Sequence, residues 1–375
     1  MRLIYLANLR LPTEKAYGVN IAETCRALAD TGLEVTLVLP YRKNLINKNI
    51  FDYYGIKNNF KTKTISAIDV YLPGKLDRIS VIVKNFISGV LLSLYAMGVE
   101  ADIIYSRDEF PLFFLSFFRR SLYFEAHKFS SARLFFYKRF LKRGIKIIII
   151  SKNLKSKFIN IGFPPDQVLV AHDGVNLRDF DITMSKEDAR NKTGLPRDAK
   201  IAMYTGHLFD WKGADTLAMA AKTLPDIKFV FVGGTERDIN IFKTRFGNVP
   251  NIIIIGHKPH QEIPVFLKAA DVLILPNSSK NKIYLDTSPI KLFEYMASGR
   301  PIITSDLPSI REVLNENNAI LFNSDDPLTL SESIHMLANN NALGLTLAEQ
   351  AKRDVENYTW DKRADSLIKF FLEGF

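Results

Sequence analysis

Two carboxylates, Asp286 and Glu294, stand eight positions apart in the stretch DTSPIKLFEYMASGRPIITSDLPSIREVL, residues 286–314. Between them Ser288-Pro289 reads as a helix start, because Ser caps exposed amides and Pro fits the first helical position. Ile290, Phe293 and Ala297 then recur at helical spacing, and Gly299 supplies the left-handed residue that ends the helix. Arg300-Pro301 leads into a buried-strand run, Ile302-Ile303-Thr304. A helix amino end attracts phosphate, and a carboxylate beside it can accept paired hydroxyl hydrogen bonds. Asp286 before the helix and Glu294 in its second turn therefore outline a site for a phosphorylated, polyhydroxylated ligand, in short a nucleotide sugar.

The elements that must hold this site alternate along the whole chain. Residues 2–6 read as a strand, Gly18 opens a helix over 19–31, Gly32 closes it, and 33–39 is a near-continuous apolar strand. That is a βαβ unit of the parallel-sheet kind. Its first turn has no G-x-G-x-x-G, and no Walker loop occurs anywhere, which counts against dehydrogenase and ATPase readings. A polar stretch over 43–63 is followed by a helix over 79–98 and by strands over 102–105, 146–150 and 168–171, with a helix from 151 to 161. Residues up to about 184 read as a linker, and the polar residues 185–199 lead into a second set. There the strands fall at 201–205, 228–232, 251–255 and 271–275, and the helices at 214–224 and 263–270. Helices follow to the end, the last an amphipathic run over 358–375 that could cross back to the first domain. Two successive βα sets predict two doubly wound α/β domains facing a central cleft, where ligands meet the carboxyl ends of strands. The expected boundaries are 1–175 with a terminal helix 357–375, and 176–356.

With 375 residues, 47% of them hydrophobic, the chain has material for two cores. The single Cys25 excludes a disulfide framework and a cysteine metal site, so a reducing cytoplasm is the expected compartment. The opening MRLIYLAN reads as a first buried strand rather than a signal peptide. Residues 79–98 are about long enough to span a bilayer, but Lys84, Asn85 and the Ser and Gly interruptions favour a buried helix. The net charge of +10 is uneven: residues 1–175 carry 26 Lys and Arg against 14 Asp and Glu. Within segment 112–146 nine cations are interleaved with Phe and Tyr, and Glu125 is the lone acid. Three readings stay open for it: an aromatic stripe packed in the core under a solvated basic face, contact with an anionic membrane surface, or a nucleic-acid track. No nucleic-acid motif accompanies the charge, so no nucleic-acid partner is expected. Asp179-Phe180-Asp181 is formally a D-x-D, but it lies in the linker rather than after a nucleotide-binding strand, and no metal site is expected.

The order and spacing of these features resemble glycosyltransferase family 4, the group 1 glycosyl transferases, whose GT-B architecture has two Rossmann-like domains. The resemblance spans nearly the whole length. It is carried by Gly18, Ser151-Lys152, Asp173-Gly174-Val175-Asn176 with Phe180, Gly206 followed by Lys212-Gly213, Phe231-Val232-Gly233-Gly234, Gly256, Ala270-Asp271, Pro276, residues 288–313 and Trp360-Asp361-Lys362-Arg363. It implies transfer of a sugar from a nucleotide diphosphate with retention, without a divalent metal or other cofactor, protein cations and helix dipoles offsetting charge on the leaving diphosphate.

By that resemblance the catalytic set is His127, Lys212, Asp286 and Glu294. Glu294 would hold the ribose diol, Asp286 the donor-sugar hydroxyls, Lys212 a phosphate, and His127 would reach the donor sugar from the first domain. Gly18, Gly206, His207, Gly233, His257, Ser288, Ile290 and Lys291 complete the donor-binding set. The family's pattern is Glu, seven residues, Glu, so Asp286 is one methylene short. His207 stands where the family has Arg and offers one donor with less charge. The family's Pro-Phe-Gly is replaced by Thr287-Ser288-Pro289, and Pro289 has no N–H to offer a ligand. The basic first domain implies an anionic acceptor, a lipid-linked or cell-surface glycan met at the cytoplasmic face of a membrane to which the protein is peripheral. A GT-B nucleotide-sugar epimerase and a non-catalytic membrane- or scaffold-binding relative are the alternatives.

Overall fold

The runs Arg2–Leu6 (β1) and Glu34–Pro40 (β2) pair in parallel because the intervening helix Ala16–Asp30 (α1) returns the chain along one face of the sheet. The computed structural model describes residues 1–69 and 77–373. The same strand–helix alternation continues with Ile50–Tyr54 (α2), Lys61–Ile65 (β3), Asp77–Met97 (α3), Ile103–Ser106 (β4) and Glu109–Leu115 (α4). Leu122–Ala126 (β5), Leu134–Lys142 (α5), Lys146–Ile149 (β6), Lys152–Asn160 (α6) and Val168–Val170 (β7) complete a seven-stranded sheet of order β3-β2-β1-β4-β5-β6-β7. Every pairing in it is parallel.

A second sheet is built from Lys186–Thr193 (α7), Lys200–Thr205 (β8), Ala214–Ala221 (α8), Ile227–Val232 (β9), Glu236–Phe246 (α9), Ile252–Gly256 (β10) and Ile263–Ala269 (α10). Val272–Leu275 (β11), Ile290–Ala297 (α11), Ile302–Ser305 (β12), Ile320–Phe322 (β13), Pro327–Asn339 (α12) and Asn341–Asp354 (α13) follow. Its order is β10-β9-β8-β11-β12-β13, again all parallel. Helices cover both faces, so the central strands are buried on both sides and read as unbroken apolar runs such as Val272–Leu275. The chain divides into two units, Met1–His172 with Trp360–Phe375, and Asp173–Thr359. Each is a Rossmann-like parallel sheet, as the alternation of the sequence implies.

The terminal helix Trp360–Leu372 (α14) belongs to the first unit and is fixed there by more than its apolar face. Trp360, Leu367, Phe370 and Phe371 are buried, Tyr123 Oη donates to Phe371 O at 2.8 Å, and Arg26 pairs with Asp361 at 2.8 Å. Gly374 and Phe375, the end of the expected helix, lie outside the described residues.

Several elements differ from expectation, each for a physical reason. The polar stretch 43–63 contains α2 and most of β3, whose sequence KTKTI is almost wholly exposed. An edge strand needs only backbone pairing with β2, so no hydrophobic alternation announces it. The basic-aromatic segment is not continuous helix: β5, buried at every position, divides α4 from α5. Helix α3 is half-buried rather than buried; Leu92 and Ala96 pack inward while Ile79, Ile82, Val83, Phe86 and Leu94 are exposed. Residues 185–199 hold α7, capped by Ser185, and the stretch after 314 holds a strand, β13, before its helices.

Candidate functional site

In the second unit the candidate residues gather where β8, β9 and β10 end. Thr205 leads to Gly206 and His207, Val232 to Gly233, and Gly256 to His257. The turn after β9 leaves no room for a side chain: a Cβ on Gly233 would lie 2.5 Å from Gly206 O. Gly213, at φ +71°, would place a Cβ 1.6 Å from Pro276 O, so the loop after β11 rests directly on the turn that begins α8.

That close approach fixes Lys212, which ends the short 3₁₀ turn Asp210–Lys212 before α8 and is partly buried. Burial pushes its ammonium below the usual lysine range. Lys291, the second residue of α11, extends back to the end of β8. Its Nζ donates to Thr205 O at 3.2 Å and sits 3.8 Å from the centre of the Tyr204 ring. Burial first, and then the charge of Lys212, drive Lys291 well below its ordinary pKa, with Glu294 opposing. Two desolvated lysines thus repel one another at the carboxyl edge of the sheet. An anion placed between them would offset both charges.

His207 is the first rung of an aromatic ladder. It stacks on Phe209 at 4.8 Å, and Phe209 stacks on Trp211 at 4.6 Å. Burial lowers the imidazole pKa against the pull of Asp238, and Lys212 and His257 lower it further, which favours the neutral ring. The guanidinium charge that the resemblance places here is absent.

Glu294 is buried on α11, with Oε1 2.6 Å from His260 Nε2. An ionised carboxylate only accepts, so His260 presents N–H to it and fixes its orientation. His260 comes from the 3₁₀ turn His260–Glu262 just beyond His257. Sequence reasoning did not name it, and no spacing motif marks it. Asp286 is buried between the 3₁₀ turn Lys282–Leu285 and α11.

The expected start of α11 is corrected. Ser288 does not cap α11 and Pro289 is not its first residue: Pro289 occupies the N-cap position and no side chain caps the helix. The Ser288 hydroxyl instead accepts from the Asp173 amide at 3.1 Å. The amino end of α11, with the Ile290 and Lys291 amides, is therefore left to other partners.

Gly18 and His127 belong to the first unit. Gly18 does not open α1 but is its third residue; a Cβ there would lie 2.0 Å from Tyr54 Oη. That hydroxyl accepts from Thr13 N at 2.8 Å and donates to Thr13 O at 3.0 Å, so Gly18 makes room for an internal clamp. His127 follows β5, with Nε2 2.5 Å from Glu125 Oε1. The same oxygen accepts from Arg363 Nη2 at 2.8 Å, and Tyr105 Oη donates to the other. Arg363 also donates to Thr24 Oγ1 at 3.2 Å and His172 O at 3.1 Å. Burial raises the pKa of Glu125, but the charge of Arg363 and the bond and charge of His127 outweigh it and hold the carboxyl below its ordinary range. The first residues of α14 thereby fix His127 through Glu125.

Among the described residues no three His, Cys, Asp or Glu side chains form a group that could hold a metal ion. In the D-x-D, Asp179 accepts from Asn176 Nδ2 at 3.0 Å within its own turn.

Two all-parallel Rossmann-like units with candidate residues on strand carboxyl ends define a GT-B protein. Two solved structures share that fold: sucrose-phosphate synthase from Thermosynechococcus elongatus, with TM-score 0.79, 18% identity and coverage of 100% of this chain and 99% of that one, and Anabaena HepE in complex with UDP and glucose, with TM-score 0.78, 15% identity and full coverage of both. Residues 185–354 match the family model described as Glycosyl transferases group 1, and on that match the second unit belongs to this family. An uncharacterised glycosyltransferase of Methanocaldococcus jannaschii is 26% identical over 237 residues, covering 60% of this chain and 59% of that protein.

Proposed function

We propose that the protein is a retaining glycosyltransferase that moves a sugar from a nucleotide-diphosphate sugar to an acceptor. The observation that carries this is the lysine pair, Lys212 and Lys291, desolvated beside the uncapped amino end of α11. Such a site is poor for an apo protein and good for a diphosphate, whose charge grows as the glycosidic bond breaks. In this reading the two ammonium groups and the Ile290 and Lys291 amides stabilise the leaving diphosphate without a divalent metal. Glu294, oriented by His260, accepts from the ribose diol, and Asp286 accepts from donor-sugar hydroxyls. Gly206 and Gly233 let backbone approach the phosphates, with His207 and His257 at the same edge. His127, oriented by Glu125, is assigned to the donor sugar. The HepE structure contains UDP and glucose, which makes a UDP-sugar the first donor to test.

The acceptor reading rests on the first unit. Phe117, Phe118 and Phe135 are exposed, and so are Arg120, Lys138, Lys142 and Arg143 around them, while α3 exposes Ile79, Ile82, Val83 and Phe86. Exposed aromatics among cations suit the interface of an anionic bilayer. This supports a lipid-linked or cell-surface glycan acceptor met by a cytoplasmic, peripheral enzyme.

The test is turnover of a panel of nucleotide sugars by the intact protein, with and without acceptor lipid extract. Acceptor-dependent transfer with retained anomeric configuration, lost in Lys212→Ala and Glu294→Ala variants that fold normally, is the expected result. Isomerisation of the donor with no acceptor identifies an epimerase instead, and absence of thermal protection by any nucleoside diphosphate identifies a non-catalytic relative.

A further inference from the structure

The second unit has a cavity of about 270 Å³ at the edge opposite the donor residues, where the strands begin. Lys200 and Ile201 open β8, Ile227 opens β9, and Asp271-Val272 and Arg300-Pro301 lead into β11 and β12. Ile334, Leu337 and Ala338 of α12, with Leu345 of α13, supply an apolar wall.

The charges around this space do not balance. Lys186, Lys200 and Arg300 face it against one carboxylate, Asp271. That carboxylate is already engaged: Oδ1 accepts from Lys186 at 2.8 Å, and Oδ2 accepts from Arg190 at 2.6 Å and from the Ile201 amide at 2.7 Å. Lys200 and Arg300 have neutral carbonyl partners instead, Ala338 O for Lys200 and Lys268 O at 2.7 Å for Arg300. Among the described residues Arg300 Nε is buried with no hydrogen-bond partner. Nε itself is closed to the cavity, so it is the guanidinium charge, hydrogen-bonded here only to a neutral carbonyl, that an anion in the cavity offsets. With Arg190, which shares Asp271, and Glu187, which acts on Arg300, four cations stand against two carboxylates, and the excess of two matches a dianion. The apolar wall matches the group that such an anion would carry.

We propose that this cavity is a second ligand site, separate from the donor residues, that takes a phosphate monoester with an apolar body. The phosphoryl oxygens meet Arg300 and Lys200, and the body lies against Leu337 and Leu345. Because the cavity is at the strand amino ends and the lysine pair at the carboxyl ends, the two sites are occupied independently.

Phenyl phosphate is the probe, titrated calorimetrically into the full chain near neutral pH, with phenol as the neutral control. The comparison is made in a Lys212→Gln background, which removes anion binding at the donor residues; that background should still bind phenyl phosphate, and phenol far more weakly. Arg300→Gln should weaken binding roughly tenfold or more. Ala338→Phe, which fills the space and removes no hydrogen bond, should do the same, so a folding defect in the arginine variant does not decide the matter. No binding by wild type, unchanged binding by Ala338→Phe, equal binding of phenol, or loss in Lys212→Gln would each overturn the proposal.

Discussion

Replacing Arg363 by Met tests the chemistry that fixes His127. The substitution removes a guanidinium, 5% exposed, from a carboxylate, Glu125, that is 1% exposed. Breaking a buried pair by deleting one partner costs about 3–5 kcal/mol, because the remaining charge is stranded. The pH dependence carries a sign. In wild type the Glu125 pKa is held down, so its contribution is complete above the unfolded carboxylate value and is lost as pH falls through the folded one. In the variant burial prevails and the pKa rises, so the penalty is largest at neutral pH and fades as acid protonates Glu125. The gap between variant and wild type should therefore shrink from pH 7 to pH 5. The chain has two tryptophans, and Trp360 is buried in α14. Urea unfolding followed at Trp360 in a Trp211→Phe background thus reports on the first unit. A second substitution, Glu125→Gln, should recover most of the loss. A gap under about 1 kcal/mol at pH 7, or one that widens in acid, would refute the reasoning.

Two further outcomes concern the second unit. Gly213→Ala should lower stability by about 2 kcal/mol or more, visible in the thermal midpoint, since its Cβ meets the Pro276 carbonyl and φ is positive. With Glu294 on the nucleotide as proposed, His260→Ala should raise the donor KM with a smaller change in kcat, because it frees that carboxylate to turn away; equal losses in both constants would point to another role for His260.

The parallel architecture was legible because two-faced burial writes itself as unbroken apolar runs, as in Val272–Leu275, and because Gly32 and Gly299 mark helix ends. β3 was not legible: KTKTI is exposed and held by backbone alone. What escaped in the candidate site is what depends on distant chain. Ser288 has a good capping sequence, but its hydroxyl is taken by the Asp173 amide 115 residues away. Glu294 meets His260 across 34 residues, and Glu125 meets Arg363 across 238, with no spacing that announces either contact. The Lys212–Lys291 repulsion likewise exists only once α11 is set against the end of β8. Local pattern gave the turns that bear the residues; tertiary placement gave them their electrostatics.

In the proposed function Lys212 and Lys291 hold an anion at a site unfavourable without one. The most direct measurement is the thermal midpoint of wild type and Lys212→Met with and without saturating UDP. Removing a desolvated ammonium should raise the midpoint of the unliganded variant, and UDP should stabilise wild type strongly but the variant little. A variant less stable than wild type in the absence of UDP, yet stabilised by UDP to the same extent, would contradict the account.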